Sequence, residues 1–427
     1  MDLAIILIFV LIYVLTVLLS ATKAVPLSVA ALGGALLIAW FGLQYGVFTY
    51  DMAASFIDVR LLGLIIGTMI VVEVAEKSGL FRFGALYAVK ISKGNPGRLF
   101  VFLCVISAVV SLFLSDPTAM LLMAAATVTI SRLLNYDPIP YFLSATIMIN
   151  LGGTSTLIGS TSNMVIGLAA GIGFTEFIAY LTLGEVILWI ITILALYLIF
   201  RKRLGKKKPL PEYDPWQSIE NKKSFYQSIF VLVLLVLLFL VVDNIGVGPE
   251  AVALGCAILA LILSNTDPAE IFKRIDWETV FFIAGFMFLM GGIQETGILK
   301  TISDQLFLLV GGNPLSTTMT TLWFSGLASA LVSNVAVALT FVPIIKNFSI
   351  LNPNLRLPVS SALIFGTNLG GATTPLSGSV PMMAVGTLKR EGISMSFSEF
   401  TKVGLITSII QLAFASLYII MRFGLGG

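Results

Sequence analysis

The sequence predicts an all-α polytopic membrane protein of about ten transmembrane helices plus two re-entrant hairpins, arranged in two inverted-topology repeats. Three observations lead there. Of 427 residues, 58% are hydrophobic and only 11% are charged, against roughly 25% charged in ordinary globular chains. Apolar runs near the length needed to cross a hydrocarbon core recur from end to end,. Slid along itself by 218 residues, the chain superposes glycines, asparagines and prolines on their own kind.

Taken in order, Leu3 to Leu19, Leu27 to Leu43 and Leu61 to Ala75 predict the first three spans,. Met1 and Asp2 supply no basic region and no cleavage site follows, so the first run is read as a span and no removable targeting peptide is expected,. A short amphipathic stretch, Phe81 to Ile91, precedes the apolar segment Leu99 to Leu134. That segment is interrupted at Ser115-Asp116-Pro117-Thr118 and reads as a hairpin. Pro140 to Leu168 is broken by Gly152-Gly153-Thr154-Ser155-Thr156 and by Gly159-Ser160-Thr161-Ser162-Asn163, so it reads as a helix that unwinds. Loose backbone of this kind is tolerated at membrane depth only inside protein or beside an aqueous cavity. Phe177 to Phe200 closes the first half, residues 1–200, and the polar stretch 201–224 is a linker.

The second half, 225–427, repeats the pattern. Spans are expected at Phe225 to Val242, Ala251 to Leu263 and Val280 to Ile293, with an amphipathic stretch at Ile298 to Val310. A hairpin follows over Leu315 to Phe348, interrupted at Ser333-Asn334. A broken helix then covers Pro358 to Leu388, with Gly370-Gly371-Ala372-Thr373-Thr374-Pro375 and Ser377-Gly378-Ser379 at its break, and Val403 to Met421 is the last span. The offset pairs Asp58 with Asp276, Gly67 with Gly285, Gly79 with Gly297, Gly94-Asn95-Pro96 with Gly312-Asn313-Pro314, and Asn150-Leu151-Gly152-Gly153 with Asn368-Leu369-Gly370-Gly371. Apolar bias explains leucine on leucine; it does not explain these, and duplication does. Each copy holds an odd number of crossings, so the second copy starts on the opposite face. Inverted repeats with paired broken helices are the architecture of secondary transporters.

Charge sets orientation. The stretch Arg201 to Lys223 carries eight basic residues and three acids, and the positive-inside rule makes it cytoplasmic. Counting spans from there puts twenty of the 25 basic residues inside, all but Arg60, Lys300, Lys346, Arg356 and Arg422. Both termini are then outside an inner (cell) membrane. The net charge of +3 carries no nucleic-acid signal,. Only two cysteines, Cys104 and Cys256, and no histidine are present, which excludes a disulfide framework, a multi-thiolate metal site and histidine proton chemistry,. With no histidine, metal-ligand cluster or Gly-x-Ser-x-Gly elbow, no enzyme, catalytic residue or metal centre is expected,.

The four breaks are the candidate binding elements. Ser115 or Asp116 followed by Pro117 reads as the start of a helix inside the membrane, whose first N–H groups can hold a polar oxygen. Ser333 and Asn334 offer the same from the other half. Thr154, Ser155, Thr156, Asn163, Asn368, Thr373 and Thr374 add uncharged donors and acceptors,. Asp116 is the sharpest candidate for coupling, because a carboxylate at mid-membrane depth costs about 2.5–3.5 kcal/mol and is seldom kept idle. Glu73 and Glu185 are further candidates for a proton path. No Lys or Arg lies in any break, so an anionic substrate would need helix dipoles and co-bound cations,.

With those residues placed, the chain resembles the ion-transporter superfamily, in the branch of arsenite-efflux permeases, sodium/proton antiporters and the P protein, with citrate and dicarboxylate carriers more distant. The resemblance is carried by Leu114-Ser115-Asp116-Pro117-Thr118-Ala119-Met120-Leu121-Leu122, by Asn150-Leu151-Gly152-Gly153-Thr154-Ser155-Thr156-Leu157-Ile158-Gly159, and by Asp276-Trp277-Glu278-Thr279 with Glu295-Thr296-Gly297. It implies substrate and cation sites at the hairpin tips and unwound loops, hence at Ser115, Asp116, Thr118, Asn150, Asn163, Ser333, Asn334 and Asn368. The expected function is secondary active transport of a small inorganic solute, arsenite or an oxyanion, coupled to protons or sodium. Sodium/proton antiport is the alternative. Two separated cysteines cannot form a trithiolate, so arsenite would travel as its neutral hydroxide. No cofactor is expected beyond an optional bound sodium ion, the surroundings are a lipid bilayer, and a homodimer is left open.

Overall fold

A computed structural model of the chain describes residues 3–22, 25–114, 116–208, 214–264, 266–375, 377–393 and 395–425, with the side chains of 21, 116–118, 125, 132–133, 242–245 and 379 outside that set. The described residues are helical, with no strand. The first half contains α1 (Leu3–Thr22), α2 (Leu27–Gln44), α3 (Tyr50–Ser55), α4 (Val59–Lys77), α5 (Leu80–Ser92), α6 (Pro96–Ser111), α7 (Asp116–Leu134), α8 (Pro138–Thr154), α9 (Thr161–Ala170) and α10 (Phe174–Phe177). A π turn, Ile178–Thr182, leads from α10 into α11 (Leu183–Phe200). The second half contains α12 (Lys222–Ile245), α13 (Pro249–Leu263), α14 (Pro268–Arg274), α15 (Trp277–Glu295), α16 (Ile298–Leu309), α17 (Pro314–Ser329), α18 (Asn334–Leu351), α19 (Arg356–Gly370), α20 (Ser379–Arg390) and α21 (Phe397–Phe423).

Eight helical stretches are long and apolar enough to cross a membrane. Seven are expected spans, and the eighth, Asn334–Leu351, is the second arm of the second hairpin. The outer surface matches a lipid solvent. Along α1, for example, Leu3, Leu7, Leu11, Leu15 and Leu18 are exposed, while Phe9, Ile12 and Thr16 turn inward.

Positions 218 residues apart share the local chemistry of helix starts. Helices α4 and α15 begin behind Asp58 and Asp276, each accepting first-turn N–H bonds. Helices α6 and α17 begin with proline behind Asn95 and Asn313, whose side chains cap them, an arrangement in which neither the proline nor the cap leaves an N–H unmet. Gly79 and Gly297 precede α5 and α16 at φ +82° and +77°, a left-handed turn that a side chain would strain.

The same symmetry governs packing. α2 lies on α15, and its counterpart α13 lies on α4; α6 packs on α8 as α17 does on α19; α9 meets α18 as α20 meets α7. Small residues allow these approaches. A Cβ on Gly67 would sit 2.7 Å from the Ala253 carbonyl carbon, and one on Gly285 would sit 2.9 Å from that of Ala31. A Cβ on Gly152 would fall 2.3 Å from the Ala108 oxygen, and one on Gly370 would fall 2.1 Å from the Gly326 oxygen. Van der Waals packing holds apolar helices together in lipid, and close backbone contact maximises it.

Here the structure refines the sequence expectation. The helix does not unwind at Gly152-Gly153: α8 continues to Thr154, and the loose backbone runs from Ser155 to Ser160. In the second half α19 ends at Gly370 and α20 starts at Ser379. Gly152 and Gly370 serve close contact with a hairpin arm, and the turns C-terminal to them make the breaks.

On the face expected to be cytoplasmic, the linker is docked. Tyr136 Oη donates to Gly94 O (3.1 Å) and Lys206 O (2.9 Å), and Tyr141 Oη donates to Leu204 O (2.8 Å). Arg203 bridges Asp137 at the start of α8 (2.7 Å) and Glu399 at the start of α21 (2.6 Å). The Glu399 hydrogen bond, more than Asp137, raises the Arg203 guanidinium above its ordinary range.

Candidate functional site

A cavity of about 650 Å³ opens where the two halves meet. Its inner wall is Leu331 to Val335 at the tip of the second hairpin, Ile158 to Thr161 in the first unwound loop, and Gly378 in the second. Phe113, beside the tip of the first hairpin, completes that wall. The outer part is formed by Thr68 and Glu73 of α4, Ser20 of α1, the turn between α1 and α2, and Asp276, Glu278 and Thr279 at the start of α15. Three of the four breaks inferred from sequence therefore share one space.

The electrostatics have two parts. Helices α9, α18 and α20 all start at this cavity, and no side chain of the residue preceding them caps them. Ser160 shares its hydroxyl with Ser162 (2.8 Å), and Ser333 makes no cap bond. One N–H of α18, that of Val335, is taken by Asn334 Oδ1 (2.9 Å). Uncapped helix N-termini carry partial positive charge and donors suited to oxygen atoms. Against this, Glu73, Asp276 and Glu278 line the same space, and no Lys or Arg does among the described residues. Asp276 is held by Thr279, whose N–H and hydroxyl both donate to it (3.0 and 2.6 Å), and Glu278 accepts Leu27 N (3.2 Å). Glu73 is buried, at 7% exposure. The Ser20 hydroxyl, also buried, has no partner.

Behind the inner wall, the two halves meet through paired asparagines. Asn150 and Asn368 are equivalent by the repeat, and Asn150 Nδ2 donates to Asn368 O (2.6 Å). Asn368 Nδ2 donates to Asn163 Oδ1 (2.8 Å) and Ile364 O (2.8 Å), while Asn368 Oδ1 accepts Ser162 Oγ (3.0 Å). Asn163 Nδ2 then gathers the carbonyls of Gly153, Thr154 and Thr156 (3.1, 3.2 and 2.8 Å). The Gly153 and Thr154 carbonyls lost their helical partners when α8 ended, and a buried carbonyl without a donor is costly,. One asparagine therefore stabilises the break. A chain of hydrogen bonds runs from Ser160 at the cavity through Ser162 and Asn368 to the unwound backbone.

Most of the other break residues anchor rather than line. Thr156 Oγ1 donates to Leu112 O (3.1 Å) and, in the mirror position, Thr374 Oγ1 donates to Ala330 O (3.0 Å). Each ties an unwound loop to the end of a hairpin arm. Ser155 accepts Trp189 Nε1 at its hydroxyl (2.9 Å) and Thr182 Oγ1 at its carbonyl (2.9 Å). Thr373 bonds Ser408 (2.9 Å), and Thr154 bonds back to Asn150 O (3.1 Å). Of the residues singled out from sequence, Ser333, Asn334 and Glu73 line the cavity. Asn150, Thr154, Ser155, Thr156, Asn163, Asn368, Thr373 and Thr374 form the scaffold around it. Glu185 is buried outside its wall. Ser115 and the side chains of Asp116 and Thr118 lie outside the described residues, although α7 does begin at Asp116. Sequence reading missed Asp276 and Glu278 as lining groups. They lie at a helix start, where acidic residues ordinarily serve as caps, and only packing of α15 against α2 brings them to the cavity.

Known proteins agree with this architecture. An uncharacterized transporter of Mycobacterium tuberculosis is 27% identical over 373 residues, covering 86% of this chain and 87% of its own. The human P protein is 25% identical over 451 residues, covering 86% of this chain and 54% of the P protein. Among solved structures, the YdaH transporter of Alcanivorax borkumensis shares the fold, with a TM-score of 0.65 over 90% of this chain and 89% of its own at 16% identity. The pattern of the CitMHS family, described as citrate transporter, matches residues 13–355. The chain is a multi-pass membrane transporter and belongs to the CitMHS citrate transporter family.

Proposed function

We propose that the chain is a secondary active transporter that takes a small, oxygen-rich inorganic solute, arsenite or an oxyanion, at the cavity and couples its movement to protons or sodium. The observation that carries this reading is the joint lining of the cavity. Three helix N-termini, none capped by the side chain of its preceding residue, turn N–H donors toward solute oxygens, while Glu73, Asp276 and Glu278 offer charge to a cation beside them. Arsenite as its uncharged hydroxide suits such a site without a counter-ion, and Ser20, Thr68, Ser160, Thr161, Thr279 and Ser333 supply hydroxyls around it. Citrate, the substrate in the family's description, would meet three carboxylates and, among the described residues, no basic one, so on that lining it fits only with cations alongside. The two halves are read as inverted in the bilayer, with the basic linker cytoplasmic and both termini outside. In that orientation the lining residues Val25 and Pro26, between α1 and α2, and Asp276 at the start of α15 lie toward the cytoplasmic side, which suits loading for efflux. Sodium/proton antiport is the second reading, favoured by the acidic lining.

Purified protein in proteoliposomes holding a pH-sensitive dye tests both, challenged in turn with sodium, arsenite, phosphate, sulfate and citrate. Proton movement driven by arsenite and lost on Asn334→Ala or Glu73→Gln supports the first reading. A response to sodium alone selects the second, and a response to citrate alone overturns both.

A further inference from the structure

Among the described residues, Glu185 is a carboxylate with no surface exposure and with neither oxygen meeting a donor. It takes no part in the cavity wall. An acid at membrane depth without a partner is costly, and such residues are kept where they work.

Its position on α11 is specific. The helix is entered through the π turn Ile178–Thr182, a rare distortion that is frequent at functional sites,. Thr182 lies three residues before Glu185 and Trp189 four after, so the three share a face. Thr182 and Trp189 both bond Ser155, where α8 gives way to the first unwound loop. Glu185 therefore stands between two contacts that hold the loop and lies outside the cavity wall. Helix α6, also packed on α11, adds the buried hydroxyls of Ser107 and Ser111, neither with a partner.

Among the described residues, no cation faces Glu185 from the elements packed against α11. Helix α8 contributes no charged residue, and α6 has the Cys104 thiol and, in its first turn, Arg98. The π turn contributes Tyr180. Helix α21 contributes Tyr418, whose hydroxyl donates to Tyr180 O (2.8 Å), and Arg422, which donates to Ala179 O (2.9 Å); Glu399 and Lys402 lie at its opposite end.

We propose that Glu185 carries the coupling proton, holding it in the conformation described here and releasing it when the first unwound loop shifts away from Thr182 and Trp189. The inference rests on the transporter reading. Ser155 is the mechanical link: loop movement at the cavity changes the surroundings of Glu185, and ionisation of Glu185 biases the loop. Solute and proton thus occupy separate places linked through one broken helix.

Glu185→Gln keeps the shape and hydrogen-bonding character of the protonated acid. In proteoliposomes loaded with radioactive sodium or arsenite, this variant is expected to retain solute-for-solute exchange, to lose solute-driven proton movement and to lose the pH dependence of uptake. Proton movement like that of the parent overturns the proposal, as does loss of exchange in a variant that melts like the parent. If Glu185→Gln does not fold, Glu185→Asp is expected to couple with a displaced pH profile, and an unchanged profile overturns it. If the parent moves neither probe, the substrate reading fails separately. Infrared pH titration then decides: a buried carboxylic-acid band present in the parent and displaced in Glu185→Asp supports the proposal, and a spectrum without one overturns it.

Discussion

Alanine at Gly370 is expected to loosen the second hairpin from the broken helix beside it. The added Cβ would lie 2.1 Å from the Gly326 carbonyl oxygen and 2.9 Å from the carbonyl carbon. Both obstacles are helix backbone, which cannot rotate away as a side chain can. The two helices must part by roughly 1 Å, an overpacking strain of about 1–3 kcal/mol. At ~2 °C per kcal/mol for a large chain, the unfolding midpoint should fall by about 2–6 °C. Cys104 and Cys256 are both buried, so a thiol-reactive fluorogenic dye reports their release on heating in detergent at one scan rate. Gly152→Ala, facing Ala108 O at 2.3 Å, is expected to behave alike, and Gly255→Ala, with nothing within 4 Å, serves as the control. Midpoints for Gly370→Ala and Gly152→Ala equal to those of the parent and the control would refute the argument that these glycines exist for close approach.

Three further outcomes are expected. Asn368→Leu leaves Asn163 Oδ1 without its donor, at about 1–3 kcal/mol for a buried group left unpaired, while Ser162 Oγ keeps Ser160; the same melting assay should show a drop of the order of that for Gly370→Ala, with transport lost. Thr374→Val removes the bond to Ala330 O and Thr156→Val its mirror bond to Leu112 O, each loss costing about 0.5–1.5 kcal/mol in the same melting assay. For orientation, with both native cysteines replaced, Lys207→Cys should react with a membrane-impermeant maleimide only in inside-out vesicles and Lys300→Cys only in right-side-out ones; the reverse pattern would invert the topology.

Much of the helix layout was legible because its determinants are local. The Asn-Pro starts at Asn95 and Asn313 and the Asp starts at Asp58 and Asp276 can be read without a partner, since a cap acts within one turn. Repetition at a fixed offset then identified which Gly and Asn mattered, and Asn150 and Asn368 do meet in space. The Gly152-Gly153 pair was harder. A glycine reads equally as a point of unwinding or of contact, and only the neighbouring backbone of Ala108 distinguishes the two.

Composition and periodicity by themselves determined that this chain is a helical membrane protein with paired breaks, because the cost of apolar surface in water and of unpaired backbone in lipid depends on local sequence. Tertiary structure decided which polar residues face a cavity and which bind the frame. An asparagine amide is equally suited to ligating a solute and to holding the carbonyls of Gly153, Thr154 and Thr156, and the identity of Asn163 is the same in either case. Asp276 and Glu278 look like ordinary residues of a helix start until α15 is laid on α2. The physical reason is that a hydrogen bond is defined by its partner, and partners some 200 residues apart are brought together by packing alone.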